Sequence, residues 1–308
     1  MNILITGGCG FIGSHIADRA INMGHTVSVI DNLSTGNITN LNPKARFYEA
    51  DIRDKKVEKI LEKENPGVVF HLAAQINVRL SEEDPFTDTD INIKGSINIA
   101  RNFLKLPGEK KLIFASTGGV IYGETSILPT PETIEPFPLC PYGISKLAVE
   151  KYLFYYSRFY GLHFAALRFG NVYGPRQNPD AEAGVIAIFT KKMMKNETPV
   201  IFGDGRQTRD FIYIDDVVEA SIKAIDKRCE GVFNVGTGRE TDINTIFDYI
   251  KKTIGCKVKK IYAEEKKGEI KRSCLSSDKL HILCGWKPTY TLEDGIKTTV
   301  QWYQSIRC

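Results

Sequence analysis

The chain has 308 residues, enough for about two domains at roughly 150 residues each, and its 42% hydrophobic content supports a sizeable core. Its 41 basic and 37 acidic side chains nearly cancel to a net charge of +4, which gives no global electrostatic reason to expect nucleic acid or a membrane surface as partner. The seven cysteines are odd in number and lack CxxC or metal-ligand spacing, so they read as reduced thiols in a cytoplasmic protein without a metal; MNILITGG reads as a strand rather than a signal peptide, and with no 18-residue apolar span secretion and membrane insertion are not expected.

In chain order, apolar runs of strand length alternate with helical patterns. A strand is expected over Ile3 to Thr6, a helix over Phe11 to Met23, and further strands over Val27 to Ile30, Val68 to Leu72, Leu112 to Ala115 and Phe164 to Phe169. Strands separated by helices predict parallel βαβ units, hence an α/β, Rossmann-type doubly wound parallel sheet. Beyond about residue 175 the pattern breaks into short Gly- and Pro-rich pieces such as GDGRQTRDF and FNVGTG, before a helix over Leu292 to Ile306. The expected organisation is a nucleotide-binding domain over 1–170 and a smaller mixed α/β C-terminal substrate domain over 171–308, with some segments returning to the first. Residues 251–272 hold nine Lys/Arg against three Glu and read as a solvated face.

Between the first strand and helix lies the turn Thr6-Gly7-Gly8-Cys9-Gly10-Phe11-Ile12-Gly13. Glycines here let backbone approach a pyrophosphate, and the helix amino terminus supplies unpaired N–H groups. The second strand ends in Asp31, whose carboxylate suits a ribose 2′-hydroxyl and repels a 2′-phosphate; no Arg or Lys follows in Asn32-Leu33-Ser34-Thr35. NAD is the expected cofactor.

After the strand Leu112 to Ala115 comes STGGVIYG, with hydroxyls at Ser116 and Thr117 but no carboxylate. Tyr142 and Lys146 then stand in a YxxxK pattern that puts phenol and ammonium on one helical face. A tyrosine base working near neutrality needs its pKa lowered by about 3 units, or ~4 kcal/mol, and one positive charge ~4 Å away at a dielectric of ~20 supplies about that. Lys146 is thus expected to hold Tyr142 partly as phenolate, helped by the positive nicotinamide.

Together with TGGCGFIG, HLAAQ (71–75) and STGGVIYG, this helix start resembles the extended short-chain dehydrogenase/reductase superfamily. RFGNVYGPRQ (168–177), EAGVIAIF (182–189), VIFGDG (200–205) and TRDFIYIDD (208–216) narrow the resemblance to nucleotide-sugar enzymes, most of all the UDP-glucose 4-epimerase family. The resemblance implies inversion at C4 of a UDP-hexose (glucose/galactose, with N-acetylated sugars as an extension) through a 4-keto intermediate on bound NAD. Related dehydratases carry an Asp-Glu pair, and decarboxylases a Glu, where this chain has Gly118, Gly119 and Val120; epimerisation needs neither.

The resemblance further implies Tyr142 as base with Lys146 beside it, and Thr117 or Ser116 as hydroxyl relay. Counting from the strand end selects Thr117, whereas counting back from Tyr122 lands on Gly118. Around the cofactor it implies Gly7, Gly10, Phe11, Ile12, Gly13, Asp31, Asn32, Asp51, Ile52, Leu72, Ala73, Ala74, Asn92 and Phe169, with Tyr142 and Lys146. For the nucleotide sugar it implies Thr117, Asn171, Val185, Val200, Phe202, Arg209, Lys266 and Ser273. Lys266 stands where an arginine is usual, a point charge in place of a bidentate fork, with Lys271 and Arg272 as neighbours that compensate. Ser273 reads either as room for an N-acetyl group or as an ordinary turn residue. A rival reading is UDP-glucuronate 4-epimerisation with Arg176 on the sugar carboxylate; another is a non-catalytic NAD-binding sensor, against which Tyr142, Lys146 and Thr117 stand together. The aromatics of KLAVEKYLFYYSRFYG fit either core packing or a homodimer through helices 92–106 and 143–160.

Overall fold

Seven parallel strands form the centre of the molecule, in the order β11-β6-β5-β4-β1-β2-β3. They are β1 (Asn2–Thr6), β2 (Thr26–Asp31), β3 (Arg46–Glu49), β4 (Val68–His71), β5 (Lys111–Thr117), β6 (His163–Phe169) and, much later in the chain, β11 (Gly231–Val235). The computed structural model describes residues 1–180, 184–265 and 270–306. Helices α1 (Phe11–Asn22), α2 (Lys56–Glu64), α3 (Val78–Glu83), α4 (Pro85–Thr89), α5 (Ser96–Leu104) and α6 (Pro141–Tyr160) belong to the first half, with a π-helical turn over Asp90–Gly95.

Apart from the edge strand β3 the sheet is buried on both faces, which explains why its central strands read as continuous apolar runs. Along β1, Ile3 and Ile5 enter one core while Leu4 enters the other, as a period of two dictates. The first core receives α1 and the helices of the second half; the second receives α2, α5 and α6. Proline at its first turn and left-handed Gly161 after its last residue bound α6.

The second half adds β7 (Asn171–Tyr173), β8 (Val200–Phe202), β9 (Thr208–Arg209), β10 (Phe211–Tyr213), β12 (Thr241–Asp242) and β13 (Ile261–Ala263), paired as β7 with β10, β8 with β13 and β9 with β12. Around them lie α7 (Val185–Met194), α8 (Ile214–Lys223), α9 (Ile243–Ile254), α10 (Asp278–Cys284) and α11 (Leu292–Ser305). Among the described residues no helix is long and apolar enough to cross a membrane.

One sequence expectation is corrected here. Cys229 and Cys284 are joined in a disulfide with Cα atoms 6.1 Å apart, while Cys9, Cys140, Cys256 and Cys274 are free. The return of β11 to the sheet edge packs it against α10, bringing together two cysteines 55 residues apart that no local spacing connects.

Candidate active site

Chain reversal in the sheet occurs between β1 and β4: β2 and β3 continue to one side, β4 to β6 to the other. A crevice opens at the carboxyl ends of strands at such a switch point. A cleft of about 620 Å³ lies there. Gly7 has φ +73°, and a Cβ on it would come within 2.8 Å of the Ala73 nitrogen; a Cβ on Gly13 would meet the Gly7 carbonyl oxygen at 2.2 Å. These two glycines therefore set the close approach of turn, helix and cleft wall. Gly10 caps α1 without a side chain, so the first-turn N–H groups face an incoming anion unobstructed.

At the end of β2, Asp31 accepts the Cys9 N–H (2.9 Å) and the Leu33 N–H (2.8 Å), which fixes its carboxylate in the cleft wall. Asn32 donates to Asp51 at 2.9 Å, and Arg53 holds the Asp51 carboxyl at about 2. Gly7, Gly10, Phe11, Ile12, Gly13, Asp31, Asn32, Asp51, Ile52, Leu72, Ala73, Ala74 and Phe169 all line the cleft, as do Tyr142 and Lys146. Lys146 is the one basic side chain among the described lining residues, so nothing basic stands beside Asp31 to receive a 2′-phosphate. Asn92 departs from expectation: it is buried behind the wall, where it accepts the Gln75 N–H (2.8 Å) and donates to the Gln75 carbonyl (2.9 Å). Sequence reasoning missed Ser34, Thr35, Gly36, Ile76, Asn77 and Leu80, which extend the lining; their only local signal is Asn77, which caps α3.

Tyr142 and Lys146 occupy the first turns of α6. The Tyr142 N–H donates to Ser81 Oγ (3.1 Å), and Lys146 Nζ donates to the Ala115 carbonyl (2.9 Å), 4.7 Å from the Phe114 ring centre and 5.7 Å from that of Tyr142. Burial lowers Lys146 to about 8, opposed by Asp88 and then Glu150. Burial also raises the Tyr142 phenol, with Cys140 and Asp88 adding to it. Burial therefore works against the phenolate expected of Lys146 and the nicotinamide together, and the lowering must come from the charges that the loaded site adds.

On β5 the two candidate hydroxyls part. Ser116 donates to Glu150 Oε1 at 2.6 Å in the interior, where Glu150 also binds Arg168 (3.0 and 2.6 Å). Both residues line the cleft, but the Ser116 hydroxyl is committed to Glu150, whereas Thr117 is half-buried at the cleft wall. A Cβ on Gly118 would meet Leu275 Cδ1 at 2.3 Å and the Arg168 carbonyl at 3.1 Å, so a side chain there requires Leu275 to move; Gly119 lies opposite Asn171 Oδ1. No proton-moving group stands on this segment.

In the second half, Asn171 opens β7, and its buried Oδ1 has no hydrogen-bond partner among the described residues. Arg209 on β9 donates to the Thr208 carbonyl (2.8 Å), while neighbouring Asp210 is buried and accepts from Thr237, Gly238 and Leu275. Val185 opens α7, Val200 and Phe202 lie on β8, and Ser273 is buried with its N–H on the Thr208 carbonyl (3.2 Å). None of these six lines the cleft; Gly170, Val172 and Asp180 do. Lys266 lies outside the described residues. Its expected helpers are engaged elsewhere, Lys271 with Glu265 and Arg272 with Glu240. Arg176 pairs with Asp18 on α1 at 2.8 Å.

Residues 3–236 match the model of the NAD dependent epimerase/dehydratase family. The chain is 38% identical to the UDP-glucose 4-epimerase of Mycolicibacterium smegmatis, over 99% of each chain. Among solved structures it resembles UDP-glucose 4-epimerase with UDP-glucose from Thermotoga maritima (46% identity, TM-score 0.97, 100% of each chain). It also resembles the UDP-glucose 4-epimerase of Thermus thermophilus in complex with NAD (40% identity, TM-score 0.94, 99% of each chain).

Proposed function

The chain belongs to the NAD dependent epimerase/dehydratase family, and from that premise we propose that it inverts C4 of a UDP-hexose through a transient 4-keto sugar. The observation that carries this reading is the composition of the site: Tyr142, Lys146 and Thr117 meet at the cleft, and the segment 118–120 offers no acid for elimination. NAD, whose cradle the cleft matches in glycine geometry and in Asp31, supplies when bound the position that holds the C4 hydride and returns it. Tyr142 takes the O4 proton, directly or through Thr117, and returns it after the keto sugar has turned. Lys146 orients and charges that end of the site. Asn171 and Arg209 hold the diphosphate, Val200 to Phe202 run along the uracil, and Val185 borders the nucleotide. A small side chain at Ser273 suits N-acetylated sugars as well.

In this reading residues 1–170 serve the cofactor and 171–308 the nucleotide sugar. The active form is a homodimer, built on the exposed aromatics of α6, and it works in the cytoplasm. The glucuronate alternative has no support from Arg176, whose guanidinium faces α1.

Proton NMR of UDP-glucose, UDP-GlcNAc and UDP-glucuronate with the purified protein and no added reductant tests the reading. Anomeric signals of the C4 epimer are expected to grow for UDP-glucose, without accumulation of NADH, and to be absent with Tyr142→Phe. Three unchanged spectra from NAD-containing protein would overturn it.

A further inference from the structure

Asp88 is a buried carboxylate to which the reaction above gives no task. It lies on α4, 1% exposed, and among the described residues it forms no ion pair. Its Oδ2 accepts the Ser145 hydroxyl at 2.5 Å; its Oδ1 accepts Asn92 Nδ2 at 2.9 Å and Gln75 Nε2 at 3.1 Å. A carboxylate held by neutral donors alone is costly to bury. Ser145 stands on α6 between Tyr142 and Lys146, and Gln75 belongs to the cleft wall. Lys146 is equally isolated: it is 3% exposed, also without an ion pair among the described residues, with its ammonium on the Ala115 carbonyl. Glu150, one turn further along α6, is engaged with Arg168 and Ser116. Asp88 thus binds Ser145, the chain neighbour of Lys146, and two buried groups of opposite charge, neither in an ion pair among the described residues, flank the first turns of α6.

We infer that Asp88 is a positioning residue for the proton-handling pair: its carboxylate is the counter-charge that keeps Lys146 an ammonium, and its bonds to Ser145, Asn92 and Gln75 seat the start of α6 on the cleft wall. This rests on the reading of Tyr142 and Lys146 given above. The electrostatics agree in sign, since Asp88 is the largest influence raising Lys146 against burial. Of the other groups facing this end of the site, Glu82 on α3 acts on Cys140, and only Glu150 joins Asp88 in raising Lys146. Tyr142 and Glu150 share the helix, and Cys140 precedes it with its thiol raised by burial. His71 on β4, buried between Thr6 and Ser96, is lowered to about 3 and stays neutral, and Arg168 on β6 sits behind Glu150.

The test compares wild type, Asp88→Asn and Ser145→Ala as full chains, following the Lys146 signal by NMR of ¹³C-labelled lysine, assigned with Lys146→Arg. Removing Asp88 removes an upward influence, so the Lys146 midpoint is expected to fall by about one pH unit. In the NAD-loaded enzyme the alkaline limb of kcat should fall with it while KM for the UDP-sugar holds. Ser145→Ala, which releases the carboxylate from α6, should move the signal the same way by less, and it serves if the Asn variant does not fold. A Lys146 midpoint unmoved in both variants, with kcat reduced equally at every pH, would overturn the inference. An active Tyr142→Phe would instead remove the reading beneath it.

Discussion

Ser116 and Thr117 are neighbours on one strand and both border the cleft, but a strand sends successive side chains to opposite faces, and the Ser116 hydroxyl is taken by Glu150. Thr117→Ala is expected to lower kcat by roughly tenfold or more with unchanged thermal stability. Ser116→Ala should leave kcat near wild type and cost about 1 kcal/mol of stability, through a buried carboxylate that loses one donor. Steady-state rates and unfolding curves of the two variants decide this, and the opposite assignment of effects would refute it. The sequence named both residues but not the face each takes, because a strand's register against its neighbours is not local. It likewise supplied the sign of Lys146's pull on Tyr142 and omitted burial, which moves both groups the other way.

Elements differ in how far they were legible. β1, β2, β4, β5 and β6 announced themselves because burial on both faces makes an unbroken apolar run, and the turn between β1 and α1 because its glycines are fixed by close backbone approach. β3 is a short, partly exposed strand with charged ends, and β11 reads as one more loop fragment until it is seen beside β6. The join between α6 and β6 was invisible for a related reason. Glu150 takes a two-pronged grip from Arg168, which also donates to the Tyr122 hydroxyl (2.8 Å); Tyr122 in turn donates to Asn234. No motif marks such a pair. Arg168→Met should destabilise the fold by about 3–5 kcal/mol, since it strands a buried carboxylate, and adding Glu150→Gln should recover part of that loss. Urea unfolding of the single and double variants measures both; equal stability of Arg168→Met and wild type would show that the pair contributes nothing.

At the scale of the whole molecule the conspicuous surface is aromatic. Phe154, Phe159 and Tyr160 on α6 are 64%, 69% and 59% exposed, whereas Val149, Leu153 and Tyr156 of the same helix fill the core, so internal packing does not account for the first set. Phe86 on α4 is exposed as well. Exposed aromatic side chains of this kind are the feature on which the proposed dimer rests. Phe154→Asp with Phe159→Asp should convert a dimer to a monomer in sedimentation velocity, with the fold retained by circular dichroism; a wild-type monomer, or a double variant that stays dimeric, would place the interface elsewhere. The late arrival of β11 has a different consequence, for biosynthesis. A nascent chain that has emerged as far as residue 170 already has six strands of the sheet, yet β6 still presents a bare hydrogen-bonding edge until Gly231–Val235 leaves the ribosome. An unpaired apolar strand edge invites pairing with other chains. The first half made alone is therefore expected to expose that edge, and translation into the second half to cover it.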